Sequence, residues 1–264
     1  MREAQTLSAV PGLVIAAVAR DMAFGHEGHW TGAMGRIFRT VKIRTRATSG
    51  EYAVIDTHDL GQLVSCEELL VQRIYDFSLL PFVPDLVVDC GGHIGLFSLL
   101  AASTYQHAAV TVYEPEPENL KVLRRQLERF GLRIKIVEAA VSDKEGLSGF
   151  RVFESNSGHL NAADDPKALA TERQLTVKTI DLTEHAQSWQ GKKLLVKMDI
   201  EGAEAQVIPR LLDRFPRDTA MFLEMHGDES VRERLSSLLA QAGFALNLTR
   251  SSEASSDWFA LRVA

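Results

Sequence analysis

The sequence is short of cysteine, of positive charge and of long apolar runs, and each shortage closes off a class of protein. Only Cys66 and Cys90 occur in 264 residues. Two thiols that far apart build no disulfide framework, and they fit a reducing, cytoplasmic compartment. Lysine and arginine number 29 against 35 aspartates and glutamates, a formal net charge of −6. A surface that grips nucleic-acid phosphates or an anionic membrane is usually basic, so neither partner is expected. The most apolar stretch, residues 9–19, contains Pro11-Gly12 and closes at Arg20-Asp21. It falls well short of the roughly 20 apolar residues that cross a bilayer, and Arg2 and Glu3 ahead of it do not resemble an export signal. It reads as a helix packed on the protein or on a second copy in a homo-oligomer. No repeat and no low-complexity tract occurs. The histidines of Gly25-His26-Glu27-Gly28-His29-Trp30 match no strong metal-ligand spacing and read as a loop.

What is present is an apolar core, with 45% hydrophobic residues, organised around one stretch. Leu86-Val87-Val88-Asp89-Cys90-Gly91-Gly92-His93-Ile94-Gly95-Leu96-Phe97 reads as buried strand, tight glycine turn and helix. Glycines at 91, 92 and 95 let backbone approach a ligand closely. The helix behind them points its free N–H groups at the loop. Glu114 follows the next apolar run, Val110-Thr111-Val112-Tyr113. In a parallel sheet both acids then lie at the carboxyl ends of neighbouring strands, where such sheets bind ligands. A dinucleotide fold would show G-x-G-x-x-G. Here the order is D-x-G-G-x-x-G, and a carboxylate in that place repels a pyrophosphate but not a cation. S-adenosylmethionine has no phosphate and carries an ammonium and a sulfonium. Asp89 suits its amino-acid end, and Glu114 can accept from both hydroxyls of its ribose.

Two units are expected, an accessory region 1–84 with a helix, a β-hairpin and a helix, and a core domain 85–264. The hairpin is Val41–Thr45 with Tyr52–Asp56, joined by the turn residues Thr48-Ser49-Gly50. Ser65-Cys66-Glu67-Glu68 has the form of a capping box for a helix through Leu70, Ile74 and Phe77, which Pro81 and Pro84 end. From residue 85 strands and helices alternate. Strands are predicted at 86–90, 109–114, 134–137, 194–199 and 220–224, with helices at 94–104, from about 116 to 130, after 199, and after a cap at Asp228 or Ser230. Residues 142–192 read as irregular apart from a strand at 174–180. Pro209 implies a late start or a kink in its helix. Residues 244–248 and 258–263 are strands with no helix between them, so they pair antiparallel. The fold class is therefore α/β, a doubly wound and mostly parallel Rossmann-like sheet with one reversed strand.

Four pieces of sequence together resemble the FkbM family of class I methyltransferases. They are Val88–Gly95, Tyr113-Glu114-Pro115-Glu116-Pro117-Glu118-Asn119, Ala139-Ala140-Val141-Ser142-Asp143, and Leu195-Val196-Lys197-Met198-Asp199-Ile200-Glu201-Gly202-Ala203-Glu204. The last, D-x-E-G-x-E after an apolar strand, is the most specific. The resemblance covers about residues 50 to 226. It implies a seven-stranded sheet, S-adenosylmethionine as donor, and O-methylation of a small-molecule acceptor such as a sugar or natural-product hydroxyl. Carried over, the cofactor contacts fall on Asp89, Gly91, Gly92, His93, Gly95, Glu114, Pro115, Asn119, Ala140 and Asp199. The family commonly has G-A-N-x-G in the first loop. This chain has Gly91-Gly92-His93-Ile94-Gly95, which makes His93 a candidate pocket residue.

Strand parity adds an inference about chemistry. Asp199 and Glu224 end neighbouring strands, and His226 shares the face of Glu224 if that strand continues. Asp199, Glu201, Glu224 and His226 then converge beside the cofactor. Either His226 is a general base oriented by a carboxylate, or Asp199 with Glu224 or His226 holds a divalent cation, magnesium or manganese by the donor set. Acids that merely cap the next helix or pair with Lys197 are the bland alternative. Glu204 falls in the first turn of the next helix, where a carboxylate is favoured anyway. A second functional class remains beside the enzyme, a binding or regulatory protein that keeps the fold without catalysis.

Overall fold

Residues 41–46, 52–57, 65, 69, 74–130, 134–152, 158–160, 173–252 and 255–263 are described by a computed structural model. The hairpin comes first, with β1 (Val41–Arg46) antiparallel to β2 (Tyr52–Thr57) and Val41 opposite Thr57. The expected helix over 9–19, the 25–30 loop and residues 66–68 of the capping box lie outside the described residues. At Ile74 the chain is already bent rather than helical, and Phe77–Leu79 make one 3-10 turn capped by Asp76, whose side chain accepts from the Ser78 N–H.

From β3 (Leu86–Cys90) the alternation holds: α1 (Leu96–Thr104), β4 (Ala109–Tyr113), α2 (Pro117–Phe130) and β5 (Ile134–Val137). The interval predicted as irregular is instead a second, four-stranded sheet ordered β6-β9-β7-β8. Its strands are β6 (Ala140–Ser142), β7 (Gly146–Val152), β8 (Gly158–Leu160) and β9 (Arg173–Asp181). In β9 Val177 and Thr179 are buried while Thr176 and Lys178 are exposed, the alternation that made this strand legible. β7 carries Gly146 and Gly149 and lacks that signal; it is held between β9 and β8, antiparallel to both. A short helix α3 (Leu182–His185) follows, then β10 (Leu194–Met198), α4 (Glu204–Leu211), β11 (Thr219–His226), α5 (Glu229–Gln241), β12 (Ala245–Ser251) and β13 (Ser255–Arg262). Pro209 neither delays nor starts α4. It sits inside, and the helix stops two residues later. Asp228 is the cap of α5, accepting from the Val231 N–H at 3.0 Å.

The main sheet has seven strands in the order β12-β13-β11-β10-β3-β4-β5, with β13 running against its neighbours. β3 pairs with β4 on one side and β10 on the other, so the chain order reverses there and a crevice opens above the carboxyl ends. One face packs Val88, Val196, Met221 and Leu223 on α4 and α5 through Val207, Ile208, Leu211 and Leu235. The other packs Val87, Leu195 and Phe222 on Phe97 of α1 and on Tyr75 and Phe77. Leu120, Leu123 and Leu127 of α2 close on Leu99 and Val112. Burying each such leucine contributes about 1.5–3 kcal/mol. Among the described residues no helix is long and apolar enough to cross a membrane.

Candidate active site

At the end of β3, Asp89 is completely buried. Ser98 Oγ donates to its Oδ2 at 2.6 Å, while Oδ1 has no hydrogen-bond partner and lies 3.9 Å from Lys197 Nζ. Burial raises its pKa, against Lys197 and Ser98. The chain then turns: the N–H groups of Gly91 and Gly92 both donate to Tyr113 O, at 3.1 and 2.9 Å. A Cβ at Gly91 would lie 1.9 Å from the backbone oxygen of Asp199, one at Gly92 2.0 Å from Val112 Cγ2, and one at Gly95 2.1 Å from Leu123 Cδ1. Only glycine fits this cradle. Gly95, with φ of 85°, also delays α1 to Leu96, two residues later than expected.

His93 is left-handed, with φ of 51°. Asparagine and histidine are among the few side chains that enter this region readily, so the imidazole can replace the family's asparagine without disturbing the loop. Its N–H donates to Glu114 Oε2 at 2.7 Å, and its ring meets Ser65 Oγ at 3.3 Å. Burial, helped by the charge of Lys197, holds this imidazole down to about 4, so it is neutral at pH 7. Glu114 also accepts from Glu116 N at 2.8 Å and Asn119 Nδ2 at 3.3 Å, while burial pushes it up to about 7. Glu116, missed by sequence reasoning, is buried; it accepts from Asn119 N at 2.6 Å and pairs with Arg173 of β9. Pro115 is half-buried between these acids. Ala140 is buried in β6, and Ser142 donates to the neighbouring Asp143 at 3.2 Å, a local turn contact. Glycines that a Cβ would fill, an unpartnered buried carboxylate oxygen and a second acid on the next strand fit an ammonium and a diol, hence S-adenosylmethionine.

On β10, Lys197 is nearly buried. Its ammonium donates to Gly91 O at 2.5 Å and sits 3.1 Å from Asp199 Oδ2. Burial alone would lower this ammonium, but Asp199, Tyr75 and Asp89 hold its pKa well above the usual value. Asp199 is in turn depressed, because Lys197 and His226 outweigh its burial. Glu204 is fully buried and closes the turn before α4, accepting from Ile200 N and Gly202 N at 2.9 Å each. That gives the final acid of D-x-E-G-x-E a structural duty beyond a favourable first turn.

β11 does continue through His226, and the structure brings all four predicted acids and bases together. His226 Nδ1 meets Glu204 at 3.2 Å, and Nε2 meets Glu201 at 3.3 Å and Glu224 at 3.6 Å. Burial would lower this imidazole, but Glu204, Glu201 and Asp199 raise it to about 10. The surrounding carboxylates thus favour its imidazolium form. Asp199, Glu224 and His226 do bring ligand atoms within 4.8 Å of one another. In this structure Lys197 sits on Asp199, and His226 on Glu204 and Glu201. The groups that titrate near neutrality are carboxyls. Burial, then the charge of Asp199, pushes Glu201 up to about 8 and Glu224 up to about 7.

The reversed strand completes the site. Its register sets Asp257 opposite Glu224 and Ser255 opposite His226. Ser255 Oγ donates to Glu224 Oε1 at 2.7 Å, and Arg250 Nε donates to Asp257 at 2.5 Å. A small cavity here is lined by Tyr75, Phe222, Asp199, Glu224, Asp257 and Trp258, among others. Asp257 and Ser255 owe their place to the pairing of β13 with β11, which no local signal in the sequence fixes. Nothing in the sequence marks Tyr75, whose ring stands edge-on to Phe97 at 5.0 Å and Phe222 at 5.4 Å.

This sheet order, with its glycine cradle between acids at two strand ends, is the S-adenosylmethionine-binding methyltransferase fold. Residues 89–246, more than half of the chain, match the methyltransferase FkbM domain. The chain belongs to that family and is a methyltransferase. It is 25% identical to methyltransferase sdnD of Sordaria araneosa over 75% of this chain and 87% of that one. It is 26% identical to the 31-O-demethyl-FK506 methyltransferase FkbM of Streptomyces tacrolimicus over 61% and 73%. It is 23% identical to the hexuronic acid methyltransferase AglP of Haloferax volcanii over 63% and 66%.

Proposed function

We propose that this protein methylates a hydroxyl of a small molecule, a sugar or a natural-product intermediate. The observation that carries this reading is Glu224, a carboxyl poised at about 7 on the wall of a cavity beside the cofactor cradle. A base of that strength takes up a hydroxyl proton at neutral pH. Two relatives named for a sugar acid and for an oxygen position of a macrolide support the acceptor class. In this reading the unpartnered oxygen of Asp89 receives the cofactor's ammonium, Glu114 the ribose diol, and the backbone at Gly91, Gly92 and Gly95 lies against it. Bound S-adenosylmethionine supplies an electrophilic methyl group. Asp199, fixed by Lys197, orients the acceptor. His226 acts as a charged clamp on Glu201, Glu204 and Glu224, a role different from the base expected of it. Tyr75 precedes the core domain, so the accessory region contributes to the acceptor wall.

A silent binding protein has less support, because His93 serves the loop through its backbone. Labelled S-adenosylmethionine with a panel of sugar and polyol acceptors tests the reading. Glu224→Gln should lower turnover by about 10²–10⁴ while affinity for S-adenosylhomocysteine stays within about twofold. EDTA should change nothing. Calorimetry showing no heat with either cofactor form, or a Glu224→Gln enzyme at full rate, overturns it.

A further inference from the structure

Glu114 is held by three donors, and two of them depend on its neighbour Glu116. The His93 N–H reaches Glu114 Oε2 at 2.7 Å. Glu114 Oε1 accepts from the Glu116 N–H at 2.8 Å and from Asn119 Nδ2 at 3.3 Å. Glu116 Oε2 in turn accepts from the Asn119 N–H at 2.6 Å, so this one side chain ties together the two residues that supply those donors. The Glu116 carboxylate is only 5% exposed and stands beside a second carboxylate. Its other oxygen accepts from Arg173 Nη2. Arg173 opens β9 of the second sheet, where it pairs with Val152 of β7, and it lies outside all four pieces of family-like sequence.

An ion pair between exposed groups adds little. Here one partner is buried, and truncating the other leaves a desolvated charge without its cation, which is the costly case. The repulsion between Glu116 and Glu114 then adds to the burial that already pushes Glu114 up to about 7. The other charges nearby do not take over: Glu118 is exposed and bonded to Lys121 at 2.6 Å, and the His93 ring is neutral. A Glu114 that gains a proton, or loses its donors, is a poorer acceptor for hydroxyls. Resting on the assignment of the cofactor's ribose to Glu114, we propose that Arg173 is a positioning residue for cofactor binding. It anchors Glu116, and through Glu116 it keeps the Glu114 carboxylate oriented and ionised. It touches no cofactor atom itself. The second sheet thereby has a part in the cofactor site through one side chain.

Calorimetry on the full chain tests this with S-adenosylhomocysteine and an analogue of it that lacks both ribose hydroxyls. Arg173→Ala should weaken S-adenosylhomocysteine by about tenfold and the analogue by less than about twofold, because only the hydroxyls read Glu114. Arg173→Lys keeps the charge without the planar fork and should come back to within about threefold of the wild type. Affinity for S-adenosylhomocysteine should fall as pH drops through the Glu114 pKa. That midpoint should lie higher in Arg173→Ala, by about half a unit or more, and return in Arg173→Lys. With Glu116→Gln already in place, Arg173→Ala should add less than about twofold. Arg173→Met keeps the bulk of the stem without its charge and stands in for the alanine variant if that one does not fold. Equal weakening of both ligands, which a merely structural tie or a direct contact to the cofactor would give, overturns the inference. So does an unchanged affinity, an unmoved pH midpoint, or a full Arg173→Ala effect in the Glu116→Gln protein. Glu114→Ala separates the failures. If it weakens S-adenosylhomocysteine and Arg173→Ala does not, only this inference falls; if it binds as the wild type does, the ribose assignment beneath it falls.

Discussion

Replacing Gly91 by alanine should unseat the cofactor loop, and the structure sets the size of the effect. Gly91 has φ of 80°, where an L side chain costs about 1–2 kcal/mol. The added Cβ would also lie 1.9 Å from the carbonyl oxygen of Asp199, so one backbone must retreat by roughly 1 Å or more. Little there can yield. The Asp199 N–H donates to Cys90 O at 3.2 Å, and Lys197 ties Gly91 O to the Asp199 carboxylate. Overpacking of this kind costs about 1–3 kcal/mol, so the sum is about 2–5 kcal/mol from a total stability of about 5–15. Gly191→Ala is the matched control. Its φ of 72° carries the same backbone strain, but nothing lies within 4 Å of its Cβ. Urea unfolding should show Gly191→Ala losing only the backbone part and Gly91→Ala losing clearly more. Because the retreat separates the cradle from Asp199, turnover should also fall by about 10² or more. A Gly91→Ala protein within about 0.5 kcal/mol of the control, with wild-type affinity for S-adenosylhomocysteine, would refute the reasoning.

Gly92→Ala meets a side chain rather than backbone, so Gly92→Ala with Val112→Ala should be more stable than the two single losses predict, by about 1–2 kcal/mol in a double-mutant cycle; simple additivity would count against the packing described. Glu114→Ala removes a buried acceptor and should weaken S-adenosylhomocysteine by about 1.5–3 kcal/mol in calorimetry, whereas an unchanged affinity would move the ribose elsewhere. His93 has a folded pKa of about 4, below its unfolded value of 6.5. Its stabilising contribution is therefore full above pH 6.5 and lost as pH falls toward 4, to a total of about 3 kcal/mol. Urea midpoints between pH 7.5 and 5 should drop more steeply for the wild type than for His93→Asn, and parallel curves would show that the ring is not buried neutral.

The sequence by itself determined the alternation of strands and helices from residue 86, because apolar runs and helical periodicity are local properties of the chain. It determined the cradle as well, since Asp89, Gly91, Gly92, Gly95 and Glu114 owe their roles to backbone conformation and to strand ends. It also brought Asp199, Glu201, Glu224 and His226 to one edge, because strand parity fixes the face once β11 is extended. The second sheet was hidden where β7 carries glycines and takes its pairing from a distant strand. The charge on His226 was decided only by tertiary structure: Glu204, Glu201 and Asp199 gather round one imidazole and raise its pKa, while burial and Asp199 raise Glu201 and Glu224. The partners Asp257 and Ser255 came from the register of a reversed strand, and Tyr75 from packing across the sheet. Charge state and cavity walls depend on which groups meet through space, and the order of residues along the chain does not carry that.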